Sequence, residues 1–304
     1  MEIVDFIKIV YLCYNKYIMP KEGTHQYIAS QAQNLFVPKL GEAYFYGATA
    51  PDIFFFDFFK KPITSDRLHG KDGEATDQIF FNSCSLWSSL KESEQKILSD
   101  CLAGYVTHVI TDRIFHPWVI YWSGGPEAEK KHGSFVHHYL ETALDAAIAS
   151  IRPKIKYNQK ILNLYKLISK PDNNINRCAR QHKFVTEHLD SWAFLSFSRN
   201  KPALLTLSYK FCEKYYQHYN LKDLNNWHHP VTGVVYNQSY QDLLQQAIDL
   251  SAHVLQQINW QKLADNDWAT LIGPASLETN MVAVPFSDCR YQNTEYFKDF
   301  KPSL

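Results

Sequence analysis

The segment GYVTHVITDRIFHPW places His108, Asp112 and His116 at successive intervals of four residues. On an α-helix, steps of four keep side chains on one face, drifting about 40° per step. Imidazole, carboxylate and imidazole then form one stripe that can ligate one metal ion or two neighbouring ions. The segment SFVHHYLETALD repeats the pattern, with His137 and Glu141 four apart. His138 lies one residue, about 100°, around that helix and faces elsewhere. His25, Asp52 (in GATAPD) and His69 (in LHG) extend the set to eight donors: five His, two Asp and one Glu. Zinc takes imidazole nitrogen and carboxylate oxygen and prefers about four ligands.

A plainer reading stands beside the metal site. A single His one turn from an acid is usually a surface ion pair, and from spacing alone both readings are open. His132, in a Gly-flanked loop, is either a group near the metal ligands or substrate, or simply solvated. His228-His229-Pro230 precedes a turn without a nearby acid pattern and reads as structural. The aromatic stretch Ile53–Phe59 reads as core in preference to a lipid pocket wall.

The elements that must carry these residues are mostly helical. Apolar spacing predicts helices over 26–36, 74–90, 92–116 (with Pro117 as its stop) and 134–151, the last with a Ser134 N-cap. Segments 62–73 and 123–133 read as loops from their Pro, Ser, Asp and Gly content. Four or five further helices follow between 155 and 262, with breaks near Pro171, Pro202 and Trp227–Gly233, and the tail from Gly273 reads as irregular. The fold class is therefore all-α. The ligand helices should pack side by side, burying Val106, Val109, Ile110, Leu140 and Leu144. Three parts are expected: an extension over 1–18 that supplies no ligand, with Met19 as an alternative start; a metal-binding catalytic part over 19–150; and a helical part over 151–304 packed on it.

Composition narrows the function. Lys+Arg and Asp+Glu are both 31, so the formal net charge is zero, which removes the basic footprint of a dedicated duplex-DNA binder. Hydrophobic residues at 45% and charged residues at 20% give a sizeable core and exclude a disordered chain. The six Cys form no C-x-x-C pair and leave the redox compartment undecided. No run of 18 apolar residues predicts a membrane span. The acidic Glu2 and Asp5 argue against a signal peptide, and the sequence leaves the compartment, cytoplasmic or secreted, open.

The ordered pieces MPKEGTH, GATAPD, LHG, GYVTHVITDRIFHPW and SFVHHYLETALD, spanning 19–145, resemble the zinc-dependent phospholipase C family, whose fold is shared with single-strand-specific zinc nucleases. The resemblance implies an all-helical domain with zinc ions in a cleft. By position, Asp52, His69, His108 and Asp112 would hold a first zinc and His116, His137 and Glu141 a second. His25 and Asp112 would hold a third, with Asp112 bridging. In the family's secreted members an N-terminal Trp completes the third site. No Trp precedes Trp87 here, which leaves the count at two or three ions. The interval from Asp112 to His116 is also shorter than in those enzymes, so a different geometry is expected at the second site.

The implied activity is hydrolysis of a phosphodiester, most directly a phospholipid, with transient contact to a membrane surface. Asp52 has two roles to choose from, zinc ligand and general base for water. Asp145 and Asp57 are candidates to accept a hydrogen bond from a ligand ring. A single-strand nuclease on the same fold is the nearest rival. A non-catalytic, metal-stabilised helical module is the rival from another class.

Overall fold

Nearly every side chain from Leu98 to Ser123 is buried, and the described elements are arranged around this stretch. The computed structural model describes residues 22–35, 39–56, 63–132, 135–148, 158–188 and 221–294. Chain order runs α1 (Glu22–Leu35), α2 (Glu42–Gly47), a 3-10 turn at Asp52–Phe56, α3 (Ile63–His69), α4 (Gln78–Trp87) and α5 (Glu92–Ser123). Then come α6 (Gly125–His132), α7 (Phe135–Ile148), α8 (Gln159–Ser169), α9 (Ile175–His188), α10 (Tyr240–Gln257) and α11 (Trp268–Leu271). The only sheet among the described residues is a two-stranded antiparallel hairpin, β1 (Asn226–His228) with β2 (Val235–Asn237), pairing Trp227 with Tyr236. The all-α expectation holds.

From Leu98 onward α5 is buried on nearly every side, its polar residues included. Helices α1, α2, α7, α8 and α10 pack against it. The Glu94 carboxylate accepts from the Lys91 amide at its start (3.0 Å), and Gly124 at φ 80° ends it. One apolar cluster joins Leu98–Ile110 of α5 to α2, α8 and the end of α10. A second joins Phe115–Trp122 to α7, the hairpin and the start of α10. Asp112 falls at the seam between them. Val106, Val109, Ile110, Leu140 and Leu144 are buried as expected, none more than 5% exposed.

Two glycines set the closest helix crossing. A Cβ added at Gly47 would sit 1.9 Å from the Cys101 carbonyl, and one at Gly104 would sit 1.9 Å from the Tyr44 carbonyl. Only hydrogen at both positions lets α2 lie this deep on α5. That depth brings the Asp52 turn, five residues past Gly47, level with Asp112.

Three local expectations are corrected. Pro117 does not stop α5, which runs on to Ser123. A proline inside a helix costs about 3 kcal/mol. The turn beyond it buries Trp118, Val119, Ile120 and Trp122, each worth about 1.5–3 kcal/mol, so packing outweighs the lost bond. The predicted loops at 62–73 and 123–133 contain α3 and α6. Residues 74–77 precede α4 rather than belonging to it. The break expected at 227–233 is present and holds a hairpin. The aromatic run is core through Phe56, with Ile53, Phe54, Phe55 and Phe56 buried, and residues 57–59 lie outside the described residues.

Candidate metal centre

All eight donors lie in one buried region, none more than 6% exposed. α1 supplies His25, and its first turn is pinned by Asp145 of α7. That carboxylate accepts from the Gly23 amide (3.0 Å), the Thr24 amide (2.7 Å) and the Thr24 hydroxyl (2.6 Å). Burial pushes the Asp145 carboxyl up to about 7, against the Thr24 and Gly23 hydrogen bonds. Expected to orient a ligand ring, Asp145 instead orients the backbone that carries one. Asp52 opens the 3-10 turn, His69 closes α3, α5 carries the trio, and α7 carries His137 and Glu141.

Asp112 is the hub of a first nest. Its Oδ1 lies 3.2 Å from His25 Nε2, and its Oδ2 lies 3.3 Å from His69 Nε2 and 3.0 Å from His108 Nε2. Asp52 faces the same rings, Oδ1 at 3.1 Å from His69 Nε2 and Oδ2 at 3.7 Å from His25 Nε2. A second nest adjoins it. Glu141 Oε1 lies 2.6 Å from His137 Nε2 and 3.6 Å from His116 Nε2, which is itself 3.8 Å from Asp112 Oδ1. The helical stripes therefore converge, and these contacts are buried and shared among many partners rather than being surface ion pairs.

The hydrogen bonds behind the rings test whether the set suits a metal. His69 Nδ1 donates to the Ser65 carbonyl (2.7 Å), His108 Nδ1 to the Ala48 carbonyl (3.0 Å) and His116 Nδ1 to the Leu277 carbonyl (3.1 Å). A carbonyl only accepts, so each Nδ1 carries a hydrogen and Nε2 is the atom turned inward, a lone pair whenever the ring is neutral. His69 and His108 bring these nitrogens within 3.3 Å of each other and close to carboxylate oxygens. Lone pairs facing anions in a buried space repel unless a cation lies among them. A proton or a metal ion meets that need, and the donor set is the one zinc prefers.

The electrostatics agree. Burial disfavours a charge on His69, yet the hydrogen bonds and charges of Asp112 and Asp52 lift it to about 10. Burial raises Asp52, but His108, His69 and His25 together carry it well below the usual carboxylate range. Burial, with His25 adding to it, holds His108 below the ordinary imidazole value against the pull of both carboxylates.

One residue escaped the sequence reading. Glu278 brings Oε2 within 3.4 Å of His116 Nδ1, and His116, His137 and Glu278 can each offer a donor atom within 4.8 Å of the others. It sits in the irregular tail, where no periodic pattern points to it. A buried Glu22–His182 pair (2.5 Å) ties α1 to α9 and was equally invisible. His229 caps its own turn, Nδ1 accepting from the Val231 and Thr232 amides, and His228 stacks on Tyr121. Residues 1–18 and Asp57, and the side chains of His132 and His138, lie outside the described residues.

A cavity of about 20 Å³ opens between the nests, lined by His25, Asp112, His116 and Glu141 with Thr24, Phe115 and Val119. That is room for about one water-sized guest. A cavity of about 290 Å³ beside Arg67, Asn82 and Lys170 includes none of the eight donors. Space alone does not mark the site; the donors do.

Fold and site together define an all-helical protein built around a buried His–carboxylate centre able to hold metal. The family description "zinc dependent phospholipase C" matches residues 24–201, more than half of the chain, and the protein belongs to that family. No curated protein and no solved structure matches it significantly. No helix among the described residues is long and apolar enough to cross a membrane.

Proposed function

We propose that the protein is a zinc-dependent phosphodiester hydrolase that cleaves phospholipids in the manner of a phospholipase C. In this reading Asp52, His69, His108 and Asp112 hold one zinc and His116, His137 and Glu141 a second. His25 and Asp112 are available to a third. The observation that carries it is the convergence of imidazole Nε2 atoms on shared carboxylates inside a buried region. When bound, zinc neutralises phosphodiester oxygens and activates water near neutral pH.

The chain's own residues do the rest. The carbonyls of Ser65, Ala48 and Leu277 hold three rings with Nε2 inward. Asp112 spans both nests and fixes their separation. Asp52 turns one oxygen to His69 and the other to His25. Facing two rings of the same nest is the geometry of a ligand, and ligation is the role we assign to it.

The test is hydrolysis of a chromogenic phosphocholine ester, mixed phospholipid micelles and single-stranded DNA, each with and without chelator. Turnover of ester and lipid that chelator abolishes and zinc restores supports the proposal. Turnover of DNA alone moves the substrate to nucleic acid. Zinc-loaded protein that turns over none of the three sinks it.

A further inference from the structure

We infer that Glu278 is a positioning residue of this centre, acting on the second nest through His116 from a part of the chain that the family match does not reach. The inference rests on the metal-centre reading above and adds to it a residue from the irregular tail.

Residues 272–279 form a strap across the site. Arg113, next to Asp112 on α5, clasps it: the guanidinium donates to the carbonyls of Ile272, Gly273 (2.9 Å) and Ala275 (2.7 Å), and to the Thr76 hydroxyl (2.9 Å). The strap then touches both nests through its backbone. The Leu277 amide donates to the His69 carbonyl (2.8 Å), and the Leu277 carbonyl accepts from His116 Nδ1 (3.1 Å). A tight turn follows, in which the Ser276 amide donates to the Met281 carbonyl (3.0 Å), the Asn280 amide to the Ser276 carbonyl (3.0 Å), and the Glu278 amide to the Ser276 hydroxyl (3.2 Å). Each bond removes freedom from Glu278. Its carboxylate is delivered, nearly buried, to 3.4 Å from His116 Nδ1.

The side of the ring decides the role. Glu278 faces Nδ1, whereas Nε2 of the same ring faces Glu141. A histidine gives one nitrogen to a metal and the other to an outer partner, and a carboxylate in the outer position fixes the ring and strengthens the inner nitrogen as a donor. Glu278 therefore lies behind His116, its carboxylate charge beside the Nδ1 hydrogen that the Leu277 carbonyl accepts. Burying a fourth carboxylate here carries a desolvation cost that an imidazole polarised by a cation offsets.

The experiment is zinc binding, measured by competition with a chromophoric chelator on wild type, Glu278→Gln and Glu278→Asp, with cobalt(II) spectra on the same proteins. Glu278→Gln keeps shape and removes charge. It should bind as many ions as wild type, hold the weakest of them about 10–100-fold less tightly, and shift the cobalt bands without changing their intensity. Glu278→Asp should recover most of the affinity. Unchanged affinity in the Gln variant, or an Asp variant no better than Gln, overturns the inference. Loss of a whole ion with a changed band intensity also overturns it, by making Glu278 a direct ligand. Wild type that binds no zinc brings down the metal-centre reading itself, which separates the two failures.

Discussion

The two nests share Asp112 and both touch the strap, but the Nδ1 braces of their rings come from different parts of the chain. The first takes its donors from residues 25 to 112, and its rings are braced from close by: His69 by Ser65 one turn back, His108 by Ala48 at the end of α2. The second takes its donors from α5 and α7, and the brace behind His116 comes from the strap, 161 residues further along. The first is crowded, with two carboxylates facing three rings. The second is sparser, with Glu141 between two rings and Glu278 behind one. Bracing within the local fold makes a site hard to alter without altering the fold. Bracing by a distant strap makes a site that can be adjusted separately.

The sharpest break of this contrast is Asp52→Asn, which removes charge from the first nest and keeps size. Initial rates on a phosphocholine ester should fall by more than the roughly 10–100-fold that losing even an outer partner of a ligand costs, and excess zinc should not restore them; recovery with zinc would make the first nest as adjustable as the second. His116→Asn, in the second nest, should lose at least the 10–100-fold in metal affinity that removal of an outer partner typically costs. Its activity should return as zinc is raised, and a zinc titration of the rate decides it. Gly104→Ala pushes a methyl group into the Tyr44 carbonyl under the first nest. Denaturant melts should show a loss of about 1–3 kcal/mol, with the first nest's affinity falling more than the second's.

The smallest effect is a pH slope. In metal-free protein His69 is raised from 6.5 to about 10. The folded state then keeps a proton that the unfolded state gives up, so this contribution is complete below pH 6.5 and is lost as pH rises through about 10. Chelated protein should therefore melt at progressively lower temperature across that window. Zinc-loaded protein has no proton there to lose and should show a flatter curve. Equal slopes with and without zinc would remove His69 from the first nest.

What could be read from sequence follows the same division. Helical periodicity turns a count of four into a shared face, so the sequence alone marks His108, Asp112, His116, His137 and Glu141. The pairing of His25, Asp52 and His69 with them needed the family resemblance, because each comes from a different element. Glu278 had no signal of either kind: its position depends on Arg113 gripping backbone carbonyls, and carbonyls carry no residue identity. α3 and α6 were missed because Pro62, Ser65, Gly124 and Gly125 are residues that loops also favour. Pro117 misled for the complementary reason. The local rule counts the lost hydrogen bond and not the Trp118 and Trp122 side chains buried one turn later.

The strap also sets a timetable. Synthesis proceeds from α1 toward the tail, and Leu277 is made 161 residues after His116. At about 5–20 residues per second, that gap lasts on the order of 8–30 s. Throughout it the donors of the first nest and their braces at Ser65 and Ala48 have already been made, while His116 Nδ1 has neither the Leu277 carbonyl nor Glu278 beside it. Zinc arriving during translation would meet one site ready to close and another still missing its back wall. The order in which the ions are loaded would then follow the direction in which the ribosome reads the message.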